Sequence, residues 1–211
     1  MIVLWTPRDE RVYPWRELAR DAATPTRGWL APDGQPGDSY PQIQIMAYVS
    51  ATAAERLFQH TTKSWTEVLK DADASKAQGF PLDLSAQMHF VSHHELMTSP
   101  NVVAMVSGSD PKLGQEYVVY SAHVDHLGIG KPINGDDIYN GAVDDGSGVA
   151  ALLTLAKAFQ SLPRKTARSI LFIGTTSEED GLLGSDYFAH FPAVPIESIA
   201  ADINMDPASV F

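Results

Sequence analysis

Residues 116–128 read E-Y-V-V-Y-S-A-H-V-D-H-L-G. Tyr117 to Ala122 is apolar without the alternation of a half-exposed strand, as expected of a strand covered on both faces. It runs directly into His123, Asp125 and His126, three side chains able to bind a metal or carry a proton. The same continuous character marks Val102 to Val106 and Ser169 to Ile173, and more weakly Ser198 to Met205. Between the second and third of these runs, a helix is predicted over Ser147 to Leu162. Val149, Leu152, Leu153, Ala156 and Phe159 recur there at helical spacing, and Pro163 stops it. A shorter helix follows Gly181, with Leu183, Tyr187 and Phe188 on one side. Strands separated by helices predict an α/β layer sandwich around a largely parallel sheet.

The first hundred residues are patterned differently. A short helix is predicted near Pro14 to Asp21, followed by a loop rich in Pro, Gly, Asp and Thr over residues 22–41. Gln42 to Val49 alternates polar and apolar as a half-buried strand should, and Leu82 to Phe90 does so again. Ser50 or Thr52 caps a helix through about His60, and Ser64 another through about Asp73.

The chain has 211 residues, with 15 Lys+Arg against 26 Asp+Glu and a formal charge of -11. The acids are spread along the sequence, which disfavours nucleic acid or an anionic membrane as partner. There is no cysteine, so disulfides, thiolate zinc ligands and a cysteine nucleophile are excluded. Any metal must be held by His and carboxylate. The opening M-I-V-L-W lacks a basic segment and is cut short by Pro7 and Arg8, unlike a secretory signal. No stretch reaches the apolar length of a membrane span.

In open α/β sheets, ligands gather beyond the carboxyl ends of strands. Three chemistry-bearing segments fall at such ends, delivering His123 with Asp125, Glu178 with Glu179, and Asp206. A fourth, G-A-V-D-D-G-S-G over residues 141–148, opens the long helix. Residues two apart on a strand share a side, so His123 and Asp125 point together and His126 points away if the extension persists. Asp125 is then a candidate to hold the second ring nitrogen of a ligating His123, with other acceptors open. The adjacent carboxylates Glu178-Glu179 and Asp144-Asp145 repel one another and resist desolvation, a cost that a divalent cation relieves. One Glu of the pair can bind metal while the other takes a proton from metal-activated water, and a carboxylate between two cations can bridge them.

Four segments, S-A-H-V-D-H-L-G, N-G-A-V-D-D-G-S-G, T-S-E-E-D-G-L-L-G-S-D-Y-F and D-I-N-M-D, resemble in order and spacing the co-catalytic di-zinc aminopeptidase family. That family includes bacterial leucyl aminopeptidase, aminopeptidase Y and glutamate carboxypeptidase. Any one segment is a weak signal, whereas four in register are specific. The resemblance implies a three-layer sandwich with a largely parallel or mixed central sheet flanked by helices, incomplete at its C-terminus. It implies zinc as cofactor, with His123 and Asp206 on one ion, Asp144 bridging both, and Glu179 on the second. Glu178 becomes the general base and later acid, Asp125 the partner that orients His123, and Asp145 a neighbour that does not bind metal. The implied reaction is hydrolysis at peptide or protein N-termini, and the implied location secreted or periplasmic, since bacterial members are often exported.

Members of that family carry a further His ligand well downstream of D-I-N-M-D. The second site is therefore expected to lack its final His, and the 211 residues to be a fragment that binds zinc weakly or at one equivalent and hydrolyses little by itself. Residues 1–60 resemble the tail of a protease-associated domain, and residues 61–211 the N-terminal part of a zinc peptidase catalytic domain.

Other features read plainly. His126 is expected to make a loop hydrogen bond, and His93-His94 to lie in an exposed loop. His94-Glu95 lacks the second His of a zinc-binding helix, and no G-x-S-x-G elbow occurs. The four tryptophans, at 5, 15, 29 and 65, are expected to serve packing or an interface. Two other functions share the expected fold: a glutaminyl-cyclase-like acyl transferase with a single zinc, and a non-catalytic receptor or binding module without the metal site. Asp144 together with the Glu178-Glu179 pair favours hydrolysis over acyl transfer; four of the five ligands that the resemblance implies speak against the receptor reading for the parent protein, and it stays a fair reading of this chain in isolation.

Overall fold

The computed structural model describes residues 1–206 other than 23, 38, 39, 41 and 44, and describes Asp21 by its backbone alone. The chain divides into two compact units, Met1–Thr26 with Ser39–Glu95, and Arg27–Asp38 with Leu96–Phe211. Residues 61–95 thus cluster with the first unit.

In the first unit, β1 (Ile2–Leu4) is followed by α1 (Pro7–Val12), α2 (Trp15–Asp21), β2 (Ala47–Val49), α3 (Ala51–Leu57) and α4 (Trp65–Asp73). β1 and β2 pair in parallel. Thr6 opens α1 and Ser64 opens α4, and each forms a capping box with the acid three residues on, Asp9 and Glu67. Ser50, not Thr52, caps α3. Ala54, Phe58 and Trp65 form the core, with Leu4, Val49 and Phe80 packed against it. Of the alternating stretch 42–49 only Ala47–Val49 is strand, and residues 41 and 44 lie outside the described residues. Leu82 to Phe90 forms no strand. It pairs with no other segment among the described residues, and Leu84, Met88 and Phe90 stay exposed. Alternation makes a strand only where a neighbour supplies cross-strand pairs.

The second unit is a mixed α/β fold. Its elements are β3 (Val102–Val106), β4 (Tyr117–His123), the hairpin β5 (Gly128–Ile133) and β6 (Asp136–Tyr139), α5 (Gly146–Gln160), β7 (Ser169–Thr175), α6 (Leu183–His190) and β8 (Ile199–Asn204). A four-stranded sheet runs in the order β3-β7-β4-β8. β7, β4 and β8 are parallel and β3 is antiparallel to β7. The four apolar runs and the two helices of the sequence are these elements.

Period-two side chains sort the sheet into its two faces. Ala122, Ile170 and Phe172 bury one face against Leu152, Val149 and Phe159 of α5. Val119, Leu171 and Ile173 bury the other, with Phe188 of α6 packed on them. β7 has neighbours on both edges and cover on both faces, so all seven of its residues are buried. Residues 27–38 also belong to this unit. Trp29 lies edge-on to Tyr187 and Phe191 and donates its indole N–H to Asp186 at 2.6 Å, while Arg27 pairs with Asp180 at 2.5 Å.

Candidate metal centre

The carboxyl ends of the three parallel strands lie side by side, and every side chain singled out for chemistry sits just beyond one of them or at the start of α5. His123 closes β4 and is 3 % exposed. Its Nδ1 is 3.0 Å from the carbonyl oxygen of Asp125, and its Nε2 is 2.9 Å from Asp144 Oδ1. With Nδ1–H donating to the carbonyl, Nε2 is left with its lone pair directed into the site. The Asp125 carboxylate stands further from the ring, at 3.8 Å. It accepts instead from the backbone N–H groups of Glu178 and Glu179, at 3.1 and 3.4 Å. One residue therefore orients the imidazole with its carbonyl and holds the glutamate loop with its carboxylate.

Asp145 performs a comparable bridging task. It is 2 % exposed and serves as the N-cap of α5, with Oδ1 accepting from Gly148 N–H at 2.9 Å and Oδ2 from His123 N–H at 3.0 Å. The helix start is thereby tied to the strand end, and Asp145 turns away from the cluster that its neighbour Asp144 joins.

Two donor groups result. His123, Asp144 and Asp206 offer ligand atoms that all lie within 4.8 Å of one another, and so do His126, Asp144 and Glu179. Asp144 is common to both. Glu178 belongs to neither group, yet its Oε2 is 3.9 Å from His123 Nε2. Burial, reinforced by the negative charges of Asp206, Glu179 and Asp144, holds Glu178 above the ordinary glutamate range against the opposing pull of His123. Burial also raises Asp145, although its two backbone hydrogen bonds oppose this. Burial works to lower the pKa of His123, but the charges of Glu178 and Asp145 and its bonds to Asp125 and Asp144 outweigh it and raise the value. A cleft of about 270 Å³ adjoins the cluster, lined by His123, Glu178 and Asp206 and by apolar Leu182 and Phe188.

The donor chemistry fits a zinc pair. Imidazole nitrogen and carboxylate oxygen are zinc ligands, and packing four carboxylates around two imidazoles is costly without a cation. His126 Nδ1 and Glu179 Oε1 are 2.6 Å apart and both are shielded from solvent.

His126 is the residue that strand periodicity misplaces. β4 ends at His123 and residues 124–127 are irregular, so the rule that neighbours point to opposite faces lapses just where His126 follows. The signal that could have found it is the strand end itself, since a His three residues beyond the end of a strand is free to turn back.

A family model described as peptidase family M28 matches residues 101–210. A probable leucine aminopeptidase 2 of Aspergillus oryzae is 36% identical over 124 residues, covering 58% of this chain and 22% of that protein. A probable zinc metalloprotease of Pyrenophora tritici-repentis is 29% identical over 149 residues, covering 68% of this chain and 33% of that protein. The crystal structure of a peptidase M28 precursor from Shewanella amazonensis superposes with a TM-score of 0.43 at 34% identity, over 50% of this chain and 22% of that one. The chain thus spans a third or less of the length of these relatives. The matched residues contain all of the sheet, both donor groups and Glu178, and the chain belongs to peptidase family M28, a family of metallo-aminopeptidases.

Proposed function

We propose that this protein is a zinc-dependent exopeptidase, an aminopeptidase that removes residues from peptide or protein N-termini. The observation that carries this is the shared Asp144: two His-carboxylate groups meet at one carboxylate, with Glu178 beside them. His123, Asp144 and Asp206 would hold one zinc, and Asp144 and Glu179 would contribute to the second. Zinc bound there supplies Lewis acidity, lowering the pKa of water and polarising the scissile carbonyl.

The remaining work falls to the chain itself. Glu178, held above the ordinary glutamate range by burial, accepts the proton of the attacking water. It then returns that proton to the departing amine, a role that a carboxyl with a pKa nearer neutrality performs well. Asp125 keeps Glu178 and Glu179 in place through their backbone N–H groups. The apolar side of the cleft, with Leu182 and Phe188, receives a substrate side chain and excludes water. We read the fold as part of a three-layer sandwich in a longer, exported enzyme.

Hydrolysis of amino-acid anilides by the zinc-loaded protein tests the proposal. The expected result is turnover that requires a free substrate amine and disappears on chelation. Glu178→Gln should lower turnover by about 100- to 10,000-fold, the usual worth of a general base, while zinc content stays the same. Undiminished turnover in Glu178→Gln would remove Glu178 from the proton path. Equal hydrolysis of N-blocked substrates would remove the exopeptidase assignment.

A further inference from the structure

We infer that Arg27 and Trp29 are positioning residues for the proposed reaction. Residues 27–37 form a strap along the outer side of α6 and the glutamate loop, and through these two elements the strap sets the place of Glu178 and Glu179 and the width of the cleft. The inference rests on Glu178 and Glu179 acting as proposed and on the cleft receiving a substrate side chain.

The strap is a small hairpin that carries its own hydrogen bonds. The carbonyl of Trp29 accepts from Gly37 N–H at 2.9 Å and that of Gln35 from Ala31 N–H at 2.8 Å. Asp33 Oδ1 accepts from Gln35 N–H at 3.0 Å in the turn between them. A Cβ on Gly37 would overlap the indole of Trp29, so the ring is backed by the strap's own main chain. Elsewhere the ring meets Tyr187 and Phe191 edge-on, at 5.6 and 6.0 Å between centroids, and His190 at 5.2 Å. Its N–H donates to Asp186 at 2.6 Å. An indole with its apolar body enclosed by rings and its polar end satisfied is fixed in place.

α6 stands between the strap and the cleft. Residues three and four apart on a helix share a face, so Ser185, Phe188 and Ala189 form one side, which lines the cleft. Tyr187, His190 and Phe191 form another, which takes the indole. A shift of α6 against the strap therefore widens or narrows the cleft. The loop ahead of α6 has an independent need for support, because Ser177, Gly181 and Leu182 take φ +53°, +104° and +64°. Side chains rarely adopt that conformation, and it persists only where the surroundings maintain it. Asp125 holds the loop at the N–H groups of Glu178 and Glu179. Arg27 holds the next residue, Asp180, at 2.5 Å. The two carboxylates assigned to the reaction are thus tied from the β4 side by Asp125 and from the strap by Arg27.

Kinetics on alanine and leucine anilides with the zinc-loaded 211-residue chain, together with its amide hydrogen exchange, test this. Trp29→Ala should raise KM for the leucine anilide by about 10-fold, the scale of a lost methylene contact, and leave KM for the alanine anilide within about 2-fold. Trp29→Phe keeps the ring packing, loses the N–H and should fall between. Arg27→Ala should instead lower kcat by about 10-fold for both anilides at unchanged KM, the lower end of what losing a supporting partner does. Arg27→Lys should restore most of that loss. In both alanine variants the amides of Gly181, Leu182 and α6 should exchange faster while those of β4 and β7 keep their protection, because the opening is local. An unchanged KM for the leucine anilide in Trp29→Ala, or exchange that quickens evenly across β4 and β7 as well, would overturn the inference and leave the exopeptidase reading standing. An unmutated chain that hydrolyses neither anilide would count against the exopeptidase reading, and the exchange pattern then decides the strap by itself. Should Trp29→Ala misfold, Trp29→Phe and Arg27→Ala carry the comparison.

Discussion

At the scale of single residues, the site is a group of opposed charges that a cation would balance. Burial raises Glu178 and Asp145 above the ordinary carboxylate values of 4.5 and 3.8. His123 stands above 6.5 because neighbouring carboxylates outweigh its burial. In each case the folded pKa exceeds the unfolded one, so the stabilisation from binding a proton is complete below the unfolded value and lost as pH rises through the folded value. Metal-free protein should therefore lose site-derived stability upward from about pH 4, through the carboxylates first and then through His123 above 6.5. Zinc competes with the proton of His123 and offsets the charge on the two carboxylates beside it, and the rise in thermal midpoint on adding zinc should grow across the same window. A zinc-induced rise that is constant or shrinks with pH would contradict this balance. Most of these residues were legible in the sequence, because each follows an apolar run or opens the long helix. His126 was not, because its placement depends on where β4 stops, and an apolar run followed by V-D-H does not reveal where strand gives way to loop.

At the scale of elements, the strands that carry the site are held by burial and the helix by its cap. β7 shows what a continuous apolar run means, since its two faces meet α5 and α6 and its two edges meet β3 and β4. α5 begins where it does because Asp145 satisfies Gly148 N–H, and the same carboxylate takes up the buried N–H of His123. Asp145→Ala removes both bonds. Loss of an N-cap costs about 1 kcal/mol, and a buried N–H left unpaired costs a further ~1–3 kcal/mol. Denaturant unfolding should therefore show a loss of about 2–4 kcal/mol, with Asp145→Asn falling between the two; a loss under about 0.5 kcal/mol, the usual range for surface changes, would contradict the tie. Two elements were less legible. The β5–β6 hairpin has a two-residue turn at Asn134-Gly135, both at positive φ, with Ile133 paired to Asp136. Asn-Gly is a strong hairpin signal, but Gly128, Gly130 and Pro132 break the alternation that would have drawn attention to it. Leu82 to Phe90 has the reverse history, with good alternation and no partner strand to use it.

At the scale of the whole molecule, the family resemblance and the second unit coincide. The matched residues, 101–210, fall within the second unit, while Met1–Thr26 with Ser39–Glu95 has its own small core around Phe58 and Trp65. The functional account of the second unit depends on one carboxylate. Asp144 is half exposed, at 54 % of its side chain, and makes its contacts within the cluster, so replacing it should leave the sheet and α5 intact. It is nevertheless the only residue common to the two donor groups. Zinc content of Asp144→Ala, measured after equilibration with zinc and removal of loosely held metal, is accordingly the most direct test. A centre built on a shared carboxylate predicts that this variant retains its fold and holds neither zinc tightly. Retention of two zinc ions per chain would contradict it.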